Sequence, residues 1–469
     1  MLNPADAAFA DRLTNAGIKT RAASSDYVEE QRGRFTGQSK FVALPASTEE
    51  VARTVRLCYN AQVGIVPFGG GTGLVAGQVA PDGPPPLVLS LERMDRIRAV
   101  HAQENTLIAE AGVTLSNLHA AAEDAGRLFP LTYASKDSAR IGGALAVNSG
   151  GLNVLRYGTA RDLCLGVEAV LPNGDVFHGL KRLRKDNTGY DLRNLLIGSE
   201  GTLGVITAAS LKLFPRPARM ATAFIAVRDP AAALALLARF QERAGETISA
   251  FELISGQSFA FLAETHPNLR LPFETSPAWA VLVELGTGPG SNPEELLANA
   301  FEAAMEADLA TDARLAQSEA QRADFWAVRE TIPEANRRIG AIASHDIALP
   351  LGEVAAFLTA ANEAVSKLFP MRINAFGHLG DGNLHYNVFP PHGETKATYR
   401  DRATEVTRLV HDLTMERGGT FSAEHGVGRA KTADLARYGD PAKLAAMRVI
   451  KTALDPKGIM NRGAVLPEV

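Results

Sequence analysis

The chain reads as an α+β protein with a domain break near residue 217, and three observations carry that reading. Helix and strand signals alternate up to residue 214. The stretch Pro215-Arg216-Pro217 then ends regular structure, because proline fixes φ and removes a backbone donor. Beyond it, strand-like runs are interleaved with long Ala-rich helical stretches without strict alternation, the pattern of a sheet with helices on one face. The expected division is 1–217, 218–420, and a C-terminal helical segment over 421–469.

In the first part, Ser47-Thr48-Glu49-Glu50 is a capping box, with Val51, Val55 and Cys58 following at helical spacing. Residues 63–68 form an apolar run, read as a short buried strand that ends in glycines. A second helix signal runs from Thr114 through Leu115, Leu118 and Ala122 to a stop at Gly126. Residues 162–171 and 204–214 read as strands. In the second part, strands are expected over 221–227, 279–285 and 341–349. Helices are expected over 230–244, 353–369, 396–417 and 441–454, and after Asn292 as N-cap with Pro293 in the first helical position.

Composition narrows the function. Lys and Arg total 48 against 52 Asp and Glu, a net charge of -4, so the clustered positive excess of a nucleic-acid binder is missing. Hydrophobic residues at 46% and charged ones at 21% exclude disorder across the whole chain. With Cys58 and Cys164 alone, no disulfide framework or cysteine metal site can be built. The start, MLNPADAAFADRL, has neither the basic end nor the apolar core of a secretory signal. The longest helix-like apolar stretch, 231–237, is too short to cross a bilayer. The expectation is a cytoplasmic, enzyme-sized protein with no integral membrane part; a homodimer is carried with no motif behind it.

Residues 67–77, Pro67-Phe68-Gly69-Gly70-Gly71-Thr72-Gly73-Leu74-Val75-Ala76-Gly77, follow a strand. Consecutive residues without Cβ let neighbouring backbone N–H groups face one concavity, where a diphosphate fits. Gly71, Gly73 and Ala76 match the dinucleotide fingerprint of a doubly wound fold, but that fold needs a helix directly after the loop. Pro81-Asp82-Gly83 and three further prolines forbid one, so backbone N–H groups must hold the ligand without a long helix dipole. Two more glycine clusters follow, over 141–151 and 198–207, each beside an apolar run. Any one of them is explained equally well by a tight turn. Three in one half of the chain fit a ligand as long as a flavin dinucleotide.

These segments resemble the FAD-binding domain of the vanillyl-alcohol oxidase and p-cresol methylhydroxylase (PCMH) superfamily, and more narrowly its D-2-hydroxyacid dehydrogenase branch, over roughly residues 40 to 467. The resemblance implies a PCMH-type FAD domain of two α/β subdomains and an α+β substrate (cap) domain with an antiparallel sheet. It places the diphosphate on Gly69 to Gly73, within a loop that also contributes Pro67, Thr72, Leu74 and Gly77. It lines the cofactor with Ser135, Asp137, Ser138, Gly142, Gly143, Asn148, Gly151 and Gly201, and sets Ile206 near the adenine. Some members of that superfamily tether flavin through a histidine in the first loop; none lies between Pro67 and Gly77, so FAD is expected to be non-covalent.

The second half carries the densest chemistry. Gly377-His378-Leu379-Gly380-Asp381-Gly382-Asn383-Leu384-His385-Tyr386-Asn387 combines a glycine bend with two imidazoles, and His385 and Asn387 share a strand face. Ser422-Ala423-Glu424-His425 adds a carboxylate and a third imidazole. Two His and one Glu are the ligand set of a catalytic divalent site, so His378, His385 and Glu424 are the expected ligands, for zinc, with Mn²⁺ or Fe²⁺ open. His425 then acts as general base, its intrinsic pKa of about 6.5 suiting proton transfer. Asp381 reads as a turn former, and His101, His119, His178, His266, His392 and His411 as core or surface residues.

Arg329 is the candidate carboxylate clamp; a surface helix pair with a neighbouring acid explains it equally well until the family position is considered. Asn387 joins Arg329 and His425 as a substrate contact. Asn461, in the closing stretch Asp455-Pro456-Lys457-Gly458-Ile459-Met460-Asn461, is placed by the resemblance close to the flavin, although Asn461-Arg462-Gly463-Ala464 departs from the branch's Asn-Pro-Gly-Lys ending.

The implied activity is oxidation of a D-2-hydroxy acid, D-2-hydroxyglutarate first, with an electron-transfer flavoprotein or quinone as acceptor. The 2-hydroxyglutarate pattern has a Thr and a Lys where this chain has Pro333 and Ser344, with Arg337, Arg338 or His345 as substitutes, which keeps D-lactate or another short acid in play. A metal-dependent hydrolase and a non-catalytic FAD relay subunit are the alternatives from other classes.

Overall fold

A computed structural model of the protein describes residues 2–467. The chain forms two compact units: Met1–Gly151, Gly158–Arg216 and Glu424–Val469 make one, and Leu152–Tyr157 with Pro217–Ala423 make the other.

The first unit is built on two sheets. A four-stranded sheet runs in the order Thr20–Ala22, Phe41–Ala43, Leu87–Ser90, Ile65–Phe68, its first pair antiparallel and the rest parallel. Residues 48–61 form the expected helix, Thr48–Ala61, because Ser47 Oγ accepts from the Glu50 N–H while the Glu50 carboxylate accepts from the Ala46 N–H. Val51, Val55 and Cys58 bury its apolar face in a core that also holds Ile65, Leu87 and Met94. A five-stranded antiparallel sheet follows in the order Ile97–His101, Thr106–Glu110, Val205–Lys212, Cys164–Val170, Val176–Gly179. Thr114 caps the helix Leu115–Asp124, which ends before Gly126 at φ +66°.

Of the C-terminal helical segment expected over 421–469, residues 424–469 group with this unit. Ile459 and Met460 are fully buried in its core, and a parallel bridge between Ile65 and Met460 extends the four-stranded sheet. No helix follows the first glycine loop: residues 69–86 hold none, as the prolines require. The second cluster differs from a turn, since Ile141–Val147 is a short helix that ends at Asn148 in the left-handed region.

The second unit carries a seven-stranded antiparallel sheet in the order Ala310–Leu315, Arg219–Val227, Trp279–Thr287, Ile248–Ser255, Arg372–His378, Asn383–Phe389, Ala343–Ala348. Strand alternation sends Ala223, Ile225 and Val227 to one core and Phe224 and Ala226 to the other. Both faces are therefore apolar, and both are covered, which corrects the expectation of helices on one face. Pro230–Ala244, Pro293–Glu306, Val354–Ser366 and Ala403–Glu416 lie on the first face. Gly256–Thr265 and Glu319–Ile339 lie on the second, through Phe259, Phe261, Leu262, Val328, Ile332 and Ala335. The expected helix over 396–417 is a 3-10 turn, Lys396–Arg402, followed by Ala403–Glu416.

Candidate functional site

The three glycine clusters meet in the first unit. Strand Ile65–Phe68 ends and the chain turns so tightly that a Cβ on Gly70 would lie 2.0 Å from the Ser138 carbonyl oxygen. A Cβ on Gly69 would reach 3.2 Å from Gly143 Cα, and one on Gly201, at φ +71°, 2.9 Å from Pro67 Cγ. Backbone bonds tie the second and third clusters together, with Gly198 N donating to Leu145 O and Glu200 N to Ala146 O. Ser138 and Ala139 donate to Ser135 O, Ser116 Oγ donates to Asp137, and Asn148 Oδ1 accepts from Arg161 N, so the cofactor-lining residues expected from sequence sit on one braced framework. Gly142 packs on Ala111, Gly151 on Thr132, and Ile206 is buried in strand Val205–Lys212.

Within this framework the first loop presents its donors. The Gln78 amide donates to Gly71 O and Gly73 O, which occupies those carbonyls. Among the described residues, none of the backbone N–H groups of Gly69, Gly70, Gly71, Thr72 and Gly73 donates to a protein acceptor. These residues are half-buried, and backbone donors removed from water are ordinarily satisfied, so a run of open ones on a loop with Cβ atoms only at Thr72 fits an anionic diphosphate.

The Glu424–Arg429 loop is fixed to the same framework, again within the first unit. Glu200, at φ +51° and buried, accepts from Val427 N and Gly428 N at 2.7 Å each. Burial raises the Glu200 pKa, and those two N–H groups work against it. Arg429 N and Ala430 N donate to Val75 O, and the Arg429 guanidinium bonds Ala76 O, Gly77 O and Asn461 Oδ1. Burial brings Arg429 down to about 10. Asn461, also in the left-handed region, donates to Gly77 O and Glu200 O. The resemblance sets Asn461 close to the flavin; its amide braces the end of the first glycine loop and the third cluster. Neither Glu200 nor Arg429 was singled out from sequence, although Glu200 lies inside the third cluster. His425 Nε2 lies 3.7 Å from Glu424 Oε1, and nearby Tyr133, raised by burial, hydrogen-bonds Ser149.

A different arrangement occupies the second unit. His378 ends strand Arg372–His378, a 3-10 turn Leu379–Asp381 follows, and the chain returns as Asn383–Phe389. The turn closes on Gly382, at φ +79°, where a Cβ would sit 2.2 Å from Leu349 O. Asp381 accepts from Asn383 N, the turn-forming role expected of it. His378 and His385 come together with ring centroids 5.6 Å apart and planes at 81°. Asn387 pairs in register with Asn374 and Ser344, sharing His385's strand face as expected.

Beside His378 lies a residue that sequence patterns did not flag. Glu252, in strand Ile248–Ser255, is the register partner of His378 and accepts from His378 Nδ1 at 2.7 Å. Arg329, on helix Glu319–Ile339, is only 4% exposed and sends Nε and Nη2 to Glu252 Oε2 at 2.8 and 2.7 Å, over the Phe376 ring at 4.9 Å. Burial alone would raise the Glu252 pKa; His378 and Arg329 outweigh it and hold the carboxyl well below its usual range. The signal for Glu252 was a lone acid between Ala250 and Ile254 on an apolar strand face. Arg329 is thus no surface pair, and its guanidinium is largely committed to a buried acid.

The substitutes considered for a second substrate carboxylate are also placed. Arg337 and Arg338 both pair with Glu334 at the exposed end of their helix, and His345 is buried with Nδ1 on Tyr386 O. Pro333 and Ser344 are exposed. His119 is half-buried, its Nε2 hydrogen-bonded to Leu131 O. Cys58 and Cys164 are buried thiols, and no helix among the described residues is long and apolar enough to cross a membrane.

Comparison with known proteins bears on most of the chain. A family model described as FAD linked oxidases, C-terminal domain, matches residues 216–465, and one described as FAD binding domain matches residues 39–179. The mitochondrial D-2-hydroxyglutarate dehydrogenase of Bos taurus is 37% identical over 433 residues, covering 92% of this chain and 77% of that protein. The D-2-hydroxyglutarate dehydrogenase of Xanthomonas citri pv. viticola is 34% identical over 448 residues, covering 95% and 93%. Among solved structures, an alkyldihydroxyacetonephosphate synthase gives a TM-score of 0.73 at 18% identity, covering 98% of this chain and 86% of that one. A p-cresol methylhydroxylase gives 0.71 at 16%, covering 97% and 92%. At those identities the solved structures show the fold alone.

Proposed function

The chain belongs to the FAD-linked oxidase family, and from that premise we propose that it oxidises a D-2-hydroxy acid, D-2-hydroxyglutarate first, to the 2-oxo acid. The relatives of 33–37% identity that bear the name D-2-hydroxyglutarate dehydrogenase support that substrate. The observation that carries the reading is the bracing of the Glu424–Arg429 loop onto the flavin cradle through Val75 O and the Glu200 carboxylate, which holds His425 on the same rigid framework as the cofactor loop.

When bound, FAD takes up the two electrons of the oxidation and a divalent cation, zinc first with Mn²⁺ or Fe²⁺ as alternatives, lends Lewis acidity. Residues 69–73 hold the diphosphate through backbone N–H groups, without a covalent tether. His378, His385 and Glu424 are the proposed cation ligands; the facing imidazoles and the carboxylate on His378 Nδ1 fit that donor set. His425 takes the proton from the substrate hydroxyl as general base. Asn387 and the Nη1 edge of Arg329 receive the substrate's C1 carboxylate, the remainder of the guanidinium being held by Glu252. The proposed electron acceptor is an electron-transfer flavoprotein or a quinone.

One observation favours a second reading, a shorter D-2-hydroxy acid such as D-lactate. Pro333 offers no hydroxyl and Ser344 no ammonium, while Arg337 and Arg338 are engaged by Glu334. Steady-state kinetics on a panel of D-2-hydroxy acids with an artificial electron acceptor decides between them. The highest kcat/KM for D-2-hydroxyglutarate supports the first; turnover of D-lactate without D-2-hydroxyglutarate overturns it.

A further inference from the structure

We propose that Glu252 is a positioning residue that fixes His378 as its Nδ1–H tautomer and so prepares Nε2 to ligate a divalent cation. The inference rests on the metal reading above and extends it to a residue that no motif supplies. It stands on three contacts inside one unit: His378 Nδ1 to Glu252 Oε1 at 2.7 Å, and Arg329 Nε and Nη2 to Glu252 Oε2 at 2.8 and 2.7 Å. A carboxylate has only acceptors to offer, so the nitrogen facing it must carry the hydrogen, and the lone pair of a neutral ring then sits on Nε2. The same carboxylate fixes the ring's orientation and raises the basicity of Nε2, which strengthens a metal bond.

The sheet makes this arrangement stiff. Glu252 and His378 are direct partners across two paired strands, so their side chains leave the same face at neighbouring positions. Phe376, two residues before His378, lies under the Arg329 guanidinium and also against the His385 ring, at 4.9 and 5.0 Å. Arg329 supplies the counter-charge that a carboxylate only 1% exposed requires. A purely structural ion pair would need only Arg329 and Glu252. The second oxygen of Glu252, spent on His378, is what a structural pair leaves unexplained.

The test uses the full-length holoenzyme, with zinc affinity measured by competition against a chromogenic chelator. Glu252→Gln should weaken zinc binding by about 10–100-fold, because an amide can face Nδ1 with either its oxygen or its NH₂ and no longer enforces one tautomer. Flavin content should stay at the wild-type ratio. Because removing one charge strands Arg329, the paired variant Glu252→Leu/Arg329→Met is the control for folding. It restores a neutral, apolar pair and should recover the melting temperature without recovering zinc affinity. Wild-type zinc affinity in either folded variant overturns the proposal. Nitrogen NMR of the metal-free wild type, with the His378 ring identified by its loss in His378→Gln, gives an arm that needs no folded Glu252 variant. A protonated Nδ1 supports the proposal; a protonated Nε2 or a tautomer average overturns it. Absence of tightly bound metal from the wild type overturns the metal reading itself, and the NMR arm still decides whether Glu252 sets the tautomer.

Discussion

The two units build their sites from different materials. In the first, the proposed cradle is backbone: glycines at 69, 70, 142 and 143 allow main chains to approach closely, and the N–H groups of residues 69–73 have no protein acceptor among the described residues. In the second, the work is done by side chains that carry charge, with Glu252, Arg329 and His378 arriving from two strands and a helix. A backbone site fails when atoms are added. A side-chain site fails when charge is removed. The difference gives each unit its own most damaging substitution.

The largest effect is expected from a single methyl group in the cradle. Gly70→Ala places a Cβ 2.0 Å from the Ser138 carbonyl, and that neighbour is backbone which cannot rotate away. The purified protein should be colourless, with bound flavin and activity both lost. An alanine variant with full flavin absorbance would show that the loop is not held as tightly as its contacts require. The next largest is His425→Ala, which should lower kcat by about 10²–10⁴-fold while flavin content is unchanged. Stopped-flow reduction of the bound flavin by substrate is the measurement, and undiminished reduction would remove His425 from proton transfer.

How much of this was written in the sequence follows the same division. A glycine cluster is local, so the three loops of the first unit could be found by eye, and the Pro81 to Pro86 run correctly forbade a helix after the first. The histidines were also local, two of them within eight residues of each other. Glu252 was not, because its meaning depends on being opposite His378 across a strand pair 126 positions away in sequence. The same non-locality hid the strand Ile248–Ser255, whose residues are buried on both faces and show no polar alternation. It also produced the mistaken expectation of helices on one sheet face. For Arg329 the residues alone left a surface pair equally open, since sequence does not report that its helix covers the Phe376 face. Arg429 and Asn461 show the reverse case, remote residues whose role is to grip a loop already legible as glycine-rich.

For the side-chain site, Arg329→Met should cost stability more than any other truncation in the second unit. It leaves Glu252 buried and without its main counter-charge, a change worth about 3–5 kcal/mol. Urea unfolding gives the number, and a loss under about 1 kcal/mol would mean that water reaches Glu252 after all. Because the pair is removed from solvent, the loss should persist in 1 M salt.

The smallest effect sharpens the contrast, because the first unit also contains a buried acid with two arginines. Glu110, its side chain 1% exposed, pairs with Arg96 at 2.9 Å and Arg98 at 3.3 Å, but those partners are 70% and 29% exposed. Burial works to raise its pKa, and the arginines outweigh it and leave the carboxyl depressed. A depressed folded pKa means that the stabilisation is complete above the unfolded value of about 4.3 and is lost as pH falls below it. Glu110→Gln should therefore flatten the acid limb of the stability curve and cost about 1 kcal/mol or less near neutral pH, after allowance for solvent screening. Raising salt to 1 M should shrink that difference, since the Debye length falls to about 3 Å. Salt dependence is then the discriminating measurement. Two carboxylates of similar burial, each facing guanidinium, should respond differently to added salt, the one unchanged and the other weakened, because in one unit the arginine is buried between its helix and the sheet and in the other it lies in water.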